Sequence, residues 1–152
     1  MDEIESDFYD FVLSSHMLEH TANPILTLNE WKRVLKDGGT LVMLLPDKKQ
    51  TFDHLRPVTT MEHLIEDFNA RMQEDDLTHL PEILALHDLA RDPNVANMET
   101  FKLRSVKNFE NRCLHHHVFD KLLAIDLVEY SGLTVLAVEE LAPHHILIMA
   151  RR

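Results

Sequence analysis

Apolar and polar positions alternate along this chain in two rhythms. Phe8, Phe11, Val12 and Leu13 make a short apolar run that stops at Ser14-Ser15-His16, and a second run, Leu41 to Leu45, stops at Pro46-Asp47. Between them Leu26, Leu28, Trp31, Val34 and Leu35 recur at roughly helical spacing, after Pro24 at a plausible first helical turn. Strand, helix and strand within about 40 residues make a βαβ unit, whose strands are parallel neighbours. Ligands of such sheets bind outside the carboxyl ends of the strands. A site is therefore expected at Ser14 to His20 and Pro46 to Lys49.

Downstream the helical rhythm dominates. Thr59 or Thr60 can cap a helix through Met61, Leu64, Ile65, Phe68 and Met72, and Thr59 with Glu62 fits a capping box. A second helix is predicted from Leu80 to Ala90, a third from Val95 to Phe109, and a fourth from Phe119 to Tyr130. Leu133 to Leu141 and His145 to Ala150 read as strands, and the short Ala142-Pro143-His144 connection permits an antiparallel pair. The order predicts one α/β domain over 1–152: a mostly parallel sheet ending in an antiparallel strand, with residues 48–111 as a helical insertion.

Composition narrows this. With 152 residues, 45% hydrophobic, the chain can bury one real core. A net charge of −11 argues against nucleic-acid or anionic-membrane partners. No apolar run approaches the roughly 20 residues that span a bilayer, and the acidic start, Met1 to Glu5, is unlike a signal peptide. The single cysteine, Cys113, has no activating neighbour in sequence and fits a reducing, cytoplasmic setting. Only three glycines occur: Gly38 and Gly39 at the helix-to-strand turn, and Gly132 after the fourth helix. None is left for a glycine-rich nucleotide loop, which needs them for close backbone approach.

The segments YDFVLSSHMLEHTANP and LNEWKRVLKDGGTLVMLLPDKKQTFD resemble the second half of class I S-adenosylmethionine (SAM)-dependent methyltransferases, type 11-like. The resemblance is dense over residues 7 to 67, topological over 118 to 150, and weak between. It implies a partial Rossmann-like sheet, with Phe8 to Ser14 as the family's fourth strand, Pro24 to Lys36 as the next helix and Thr40 to Leu45 as the fifth strand. The family's glycine-rich turn and ribose-binding acidic residue would lie before residue 1, so the chain reads as a truncated, substrate-side half. SAM is the implied cofactor, yet this chain alone is expected neither to bind it nor to catalyse. A chain supplying the cofactor half is one implied partner. The cut strand 8–14 implies another, a second copy, since an unpaired edge invites pairing.

On this resemblance Ser15 and His16 would lie beside the cofactor, and His16, Glu19 and His20 would carry the chemistry. His16 is the natural general base, because imidazole titrates near neutrality. Pro46, Asp47 and Lys48 would line the substrate side, although Asp47 is equally suited to a turn. The insertion would form a lid over the strand ends. His16-Met17-Leu18-Glu19-His20 also matches H-x-x-E-H, an inverted zinc-peptidase motif, but that motif needs a helix through both histidines. Thr21-Ala22-Asn23-Pro24 stops any such helix, so metal-dependent hydrolysis is set aside. A non-catalytic homodimeric binding module is the alternative. His115-His116-His117 reads as a solvated or partly packed loop, since consecutive side chains alternate in direction; it is assigned no metal.

Overall fold

The computed structural model describes residues 4–152; Met1 to Glu3, part of the acidic start, lie outside them. β1 (Tyr9–Ser15) leads through a 3₁₀ turn (Leu18–His20) into α1 (Pro24–Val34) and then β2 (Leu35–Pro46). The insertion holds α2 (Met61–Ala70), α3 (Leu80–Leu86), α4 (Met98–Ser105) and α5 (Asn108–Asn111). α6 (Lys121–Tyr130), β3 (Thr134–Leu141) and β4 (His145–Arg151) follow.

The predicted βαβ unit is present, with β1 and β2 parallel. α1 starts where Asn23 accepts the amide of Leu26 at 3.0 Å and Pro24 fills the first turn. Ile25, Leu28, Trp31 and Val34 form its buried stripe. The helix stops at Val34 rather than Lys36, because fully buried Leu35 already joins the sheet opposite Tyr9. A register shift follows, and Gly38 turns the bulged backbone with φ 75°.

The sheet order is β1-β2-β4-β3. β4 is antiparallel to both neighbours, so it sits inside the sheet and only the β1–β2 pairing is parallel. Leu41, Met43 and Leu45 of β2 and Ile146, Ile148 and Ala150 of β4 are fully buried. They face α1, α2 and α6, which bring Leu28, Leu64, Leu123 and Leu127 to the same core.

The opposite sheet face is different. Register places Phe11 and Leu13 of β1, Val42 and Leu44 of β2, and Leu147 and Met149 of β4 together there. Phe11 and Leu13 are each 65% exposed and Met149 37%, and no helix of the described residues joins them in a core. Sheets with parallel strands normally bury both faces.

In the insertion, Thr60 and not Thr59 caps α2, accepting the amide of His63 at 3.2 Å. The second predicted helix breaks at Leu86 and resumes as a 3₁₀ turn at Leu89–Arg91. The third divides into α4 and α5. Ile83, Phe101 and Leu114 form a small second core there.

Candidate functional site at the strand ends

The carboxyl ends of β1 and β2 lie side by side, with Ser15 paired to Leu44. His16 leaves β1 in the left-handed region, φ 47°, and its amide still donates to Leu44 O at 3.0 Å. This bend turns the imidazole across the sheet end. His16 Nε2 lies 2.8 Å from His145 Nδ1 at the start of β4. On its other side His16 Nδ1 is 3.5 Å from Glu19 Oε1. Burial and the neighbouring His145 and His144 push the His16 pKa down, so the ring is neutral near pH 7 and able to accept a proton.

Glu19 is 1% exposed, and neither carboxylate oxygen has a hydrogen-bond partner among the described residues. Burial raises its pKa. His20 Nδ1 is 3.0 Å from Leu114 O, its ring stands edge-on to His115 at 4.6 Å, and burial lowers its pKa to about 4. His16 and His20 both approach Glu19 Oε1, at 3.5 and 4.0 Å, while their other ring nitrogens face His145 and Leu114 O respectively. Leu18 to His20 is a single 3₁₀ turn, and no helix carries both histidines toward one ion. The H-x-x-E-H peptidase geometry is absent from these residues.

The other expected residues divide. Ser15 is exposed at the end of β1. Pro46 pairs with His145 and is buried. Asp47 accepts the amide of Lys49 at 2.9 Å, the turn-capping role that was its alternative. Lys48 turns inward, its Nζ donating to Arg56 O.

Sequence reading missed much of the surrounding shell. His115 to His117 do form a loop, but a packed one rather than a solvated one: His116 and His117 are each 1% exposed, and the His115 side chain 11%. Each has its own partner: Asp53 Oδ2 for His115 at 2.5 Å, Asn108 Nδ2 for His116 at 2.9 Å, and Asp67 Oδ2 for His117 at 2.9 Å. Arg56, 1% exposed, organises the wall behind them. It donates to Asp53 at 3.0 Å, Glu82 at 2.9 Å and the carbonyls of His115 and His116 at 2.9 and 3.3 Å. Nothing local in the sequence flags Arg56. The i, i+4 pair His63 and Asp67 on α2 is the one local signal of this shell that the sequence carries. Cys113 is half-buried with its thiol pKa raised by burial, which leaves it unreactive.

A family model described as a methyltransferase domain matches residues 1–43. No curated protein matches the sequence. Among solved structures, a SAM-dependent methyltransferase from Mesorhizobium loti aligns over 98% of this chain and 64% of its own, with TM-score 0.55 and 13% identity. One from Aquifex aeolicus aligns over 98% and 48%, with TM-score 0.53 and 13% identity. A third, from Methanosarcina mazei, aligns over 99% and 62%, with TM-score 0.51 and 16% identity. The fold is thus that of class I SAM-dependent methyltransferases, and the chain spans less than two thirds of each of these neighbours.

SAM is the cofactor this fold implies, and a glycine-rich turn at the carboxyl end of a strand is the kind of feature that would cradle it. Gly38 lies in the β2 bulge, and Gly39 is wedged so that a Cβ would meet Lys36 O at 2.8 Å. Gly132 follows α6 with φ 74°. None stands at the carboxyl end of a strand, where a phosphate- or methionine-type cradle would have to be.

Proposed function

We propose that this chain is the acceptor-side part of a SAM-dependent methyltransferase, corresponding to the fourth through seventh strands of that fold. Binding SAM and catalysis would then require a cofactor-binding part beyond these residues, on the same polypeptide or another. The observation that carries this reading is the bare apolar sheet face of Phe11, Leu13, Val42, Leu44, Leu147 and Met149 beside the open edge of β1. A methyltransferase sheet needs further strands along that edge and helices over that face, and those are the elements that would carry the cofactor cradle.

In this reading His16 is the general base at the end of β1. His145 and Glu19 hold its ring, and Ser15 and His16 border the cofactor side. His20 supports this turn, while Pro46 and Lys48 shape the neighbouring wall rather than contact acceptor directly. The insertion covers the strand ends as a lid. No helix of the described residues is long and apolar enough to cross a membrane, and we place the protein in the cytoplasm.

The same bare face supports a second reading, a non-catalytic homodimer in which two copies cover each other's β1. Calorimetry with SAM and S-adenosylhomocysteine tests the first reading. Residues 1–152 alone are expected to give no saturable binding; micromolar affinity would overturn the missing-cradle account.

A further inference from the structure

Away from the strand ends, three imidazoles and one carboxylate converge in the insertion. His63 and Asp67 lie one turn apart on α2, His79 precedes α3, and His117 comes from the segment between α5 and α6. His63 Nε2 is 3.2 Å from His79 Nε2. Asp67 Oδ2 is 2.9 Å from His117 Nε2 and 3.3 Å from His63 Nε2. One donor atom from each residue lies within 4.8 Å of all the others. Four ligands at the vertices of a tetrahedron, with metal–nitrogen bonds of about 2.0–2.1 Å, stand about 3.3 Å apart.

Proton placement points the same way. His117 Nδ1 is 3.1 Å from Thr21 O. A carbonyl only accepts, so that nitrogen carries the hydrogen. Nε2 then faces the Asp67 carboxylate at 2.9 Å, and its lone pair lies on the side where the other donor atoms converge. The Nδ1–H bond to Thr21 O would fix the tautomer and aim the Nε2 lone pair at the ion, the usual outer-shell arrangement of a ligating histidine.

We propose that His63, Asp67, His79 and His117 bind one divalent transition-metal ion of the Zn²⁺ type. Three imidazoles and one carboxylate suit that class, whereas Ca²⁺ and Mg²⁺ require oxygen-rich shells of six or more ligands. Four protein ligands close a tetrahedral shell, so the ion is structural. It staples α2, the start of α3 and the 115–117 segment. A cleft of about 260 Å³ lined by Thr60, His63, His79 and Glu82 gives the ion its route in. Only one of the three consecutive histidines takes part.

The test uses the untagged full chain, stripped by chelator and titrated with Zn²⁺ by calorimetry, with Co²⁺ absorption as a probe of coordination. One equivalent of Zn²⁺ per chain, a rise in Tm and tetrahedral Co²⁺ bands are expected. His79 is partly exposed and its side chain caps no helix, so His79→Ala should keep the far-UV circular dichroism of the apo protein. It should weaken Zn²⁺ binding at least about tenfold. His63→Ala should do the same, and His144→Ala should change neither stoichiometry nor affinity. No stoichiometric uptake would overturn the proposal. So would uptake unchanged in both His79→Ala and His63→Ala, or uptake abolished by His144→Ala.

Discussion

His16 and His145 join the end of β1 to the start of β4 across the end of β2: Nε2 of the first lies 2.8 Å from Nδ1 of the second. One ring donates and the other accepts, and the pair holds only because His16 adopts φ 47° directly after β1. The left-handed region is costly for β-branched side chains, and Asn or Gly tolerates it. His16→Val is therefore expected to destabilise the fold by about 1–3 kcal/mol in urea denaturation. His16→Asn keeps the backbone and loses mainly the ring contact, so it should cost clearly less.

Arg56 carries a larger load. It is buried with Asp53, and two backbone carbonyls also accept from it. Arg56→Met would strand the Asp53 carboxylate and those carbonyls, an expected loss of about 3–5 kcal/mol. Arg56→Lys cannot reproduce the fork of donors and should recover little of it. Thermal denaturation of the two variants checks both statements.

His20 sets a pH dependence. Burial lowers its folded-state pKa from 6.5 to about 4, reinforced by His115 and His16 and partly opposed by the Leu114 carbonyl and Asp53. Between those two values the unfolded chain takes up a proton that the folded chain refuses, so this group makes stability fall as pH drops through that window. Below about 4 both states are protonated and the contribution is flat. Denaturation between pH 7 and pH 4 should show His20→Gln losing less stability than wild type, by a slope of about one proton.

The βαβ unit was legible because its signals are local. Pro24 and Asn23 start α1, its buried stripe repeats at helical spacing, and Leu41 to Leu45 is an unbroken apolar run. The end of α1 was misplaced, since Leu35 joins the sheet through a partner, Tyr9, that helix periodicity does not reveal. The position of β4 inside the sheet follows from pairing with both β2 and β3, and neither partner is marked in its sequence.

Of the expected site, the meeting of Ser15 and His16 with the end of β2 was readable from strand topology. The shell behind it was not. His115 and His117 are buried by Asp53 and Asp67, carboxylates far away in sequence, and a run of three histidines carries no local sign of such partners. Likewise His145 was legible as the start of a strand, but nothing in the sequence marks it as the residue that meets His16.

We propose that β1 and its bare face are a joining surface. Phe11 and Leu13 stand 65% exposed there, on a strand with an open edge among the described residues. Light scattering on purified residues 1–152 at micromolar concentration tests this most directly. Self-association is expected, abolished by the double variant Phe11→Lys, Leu13→Lys with the circular dichroism spectrum retained. A monodisperse wild-type monomer with the face left open to water would contradict the account.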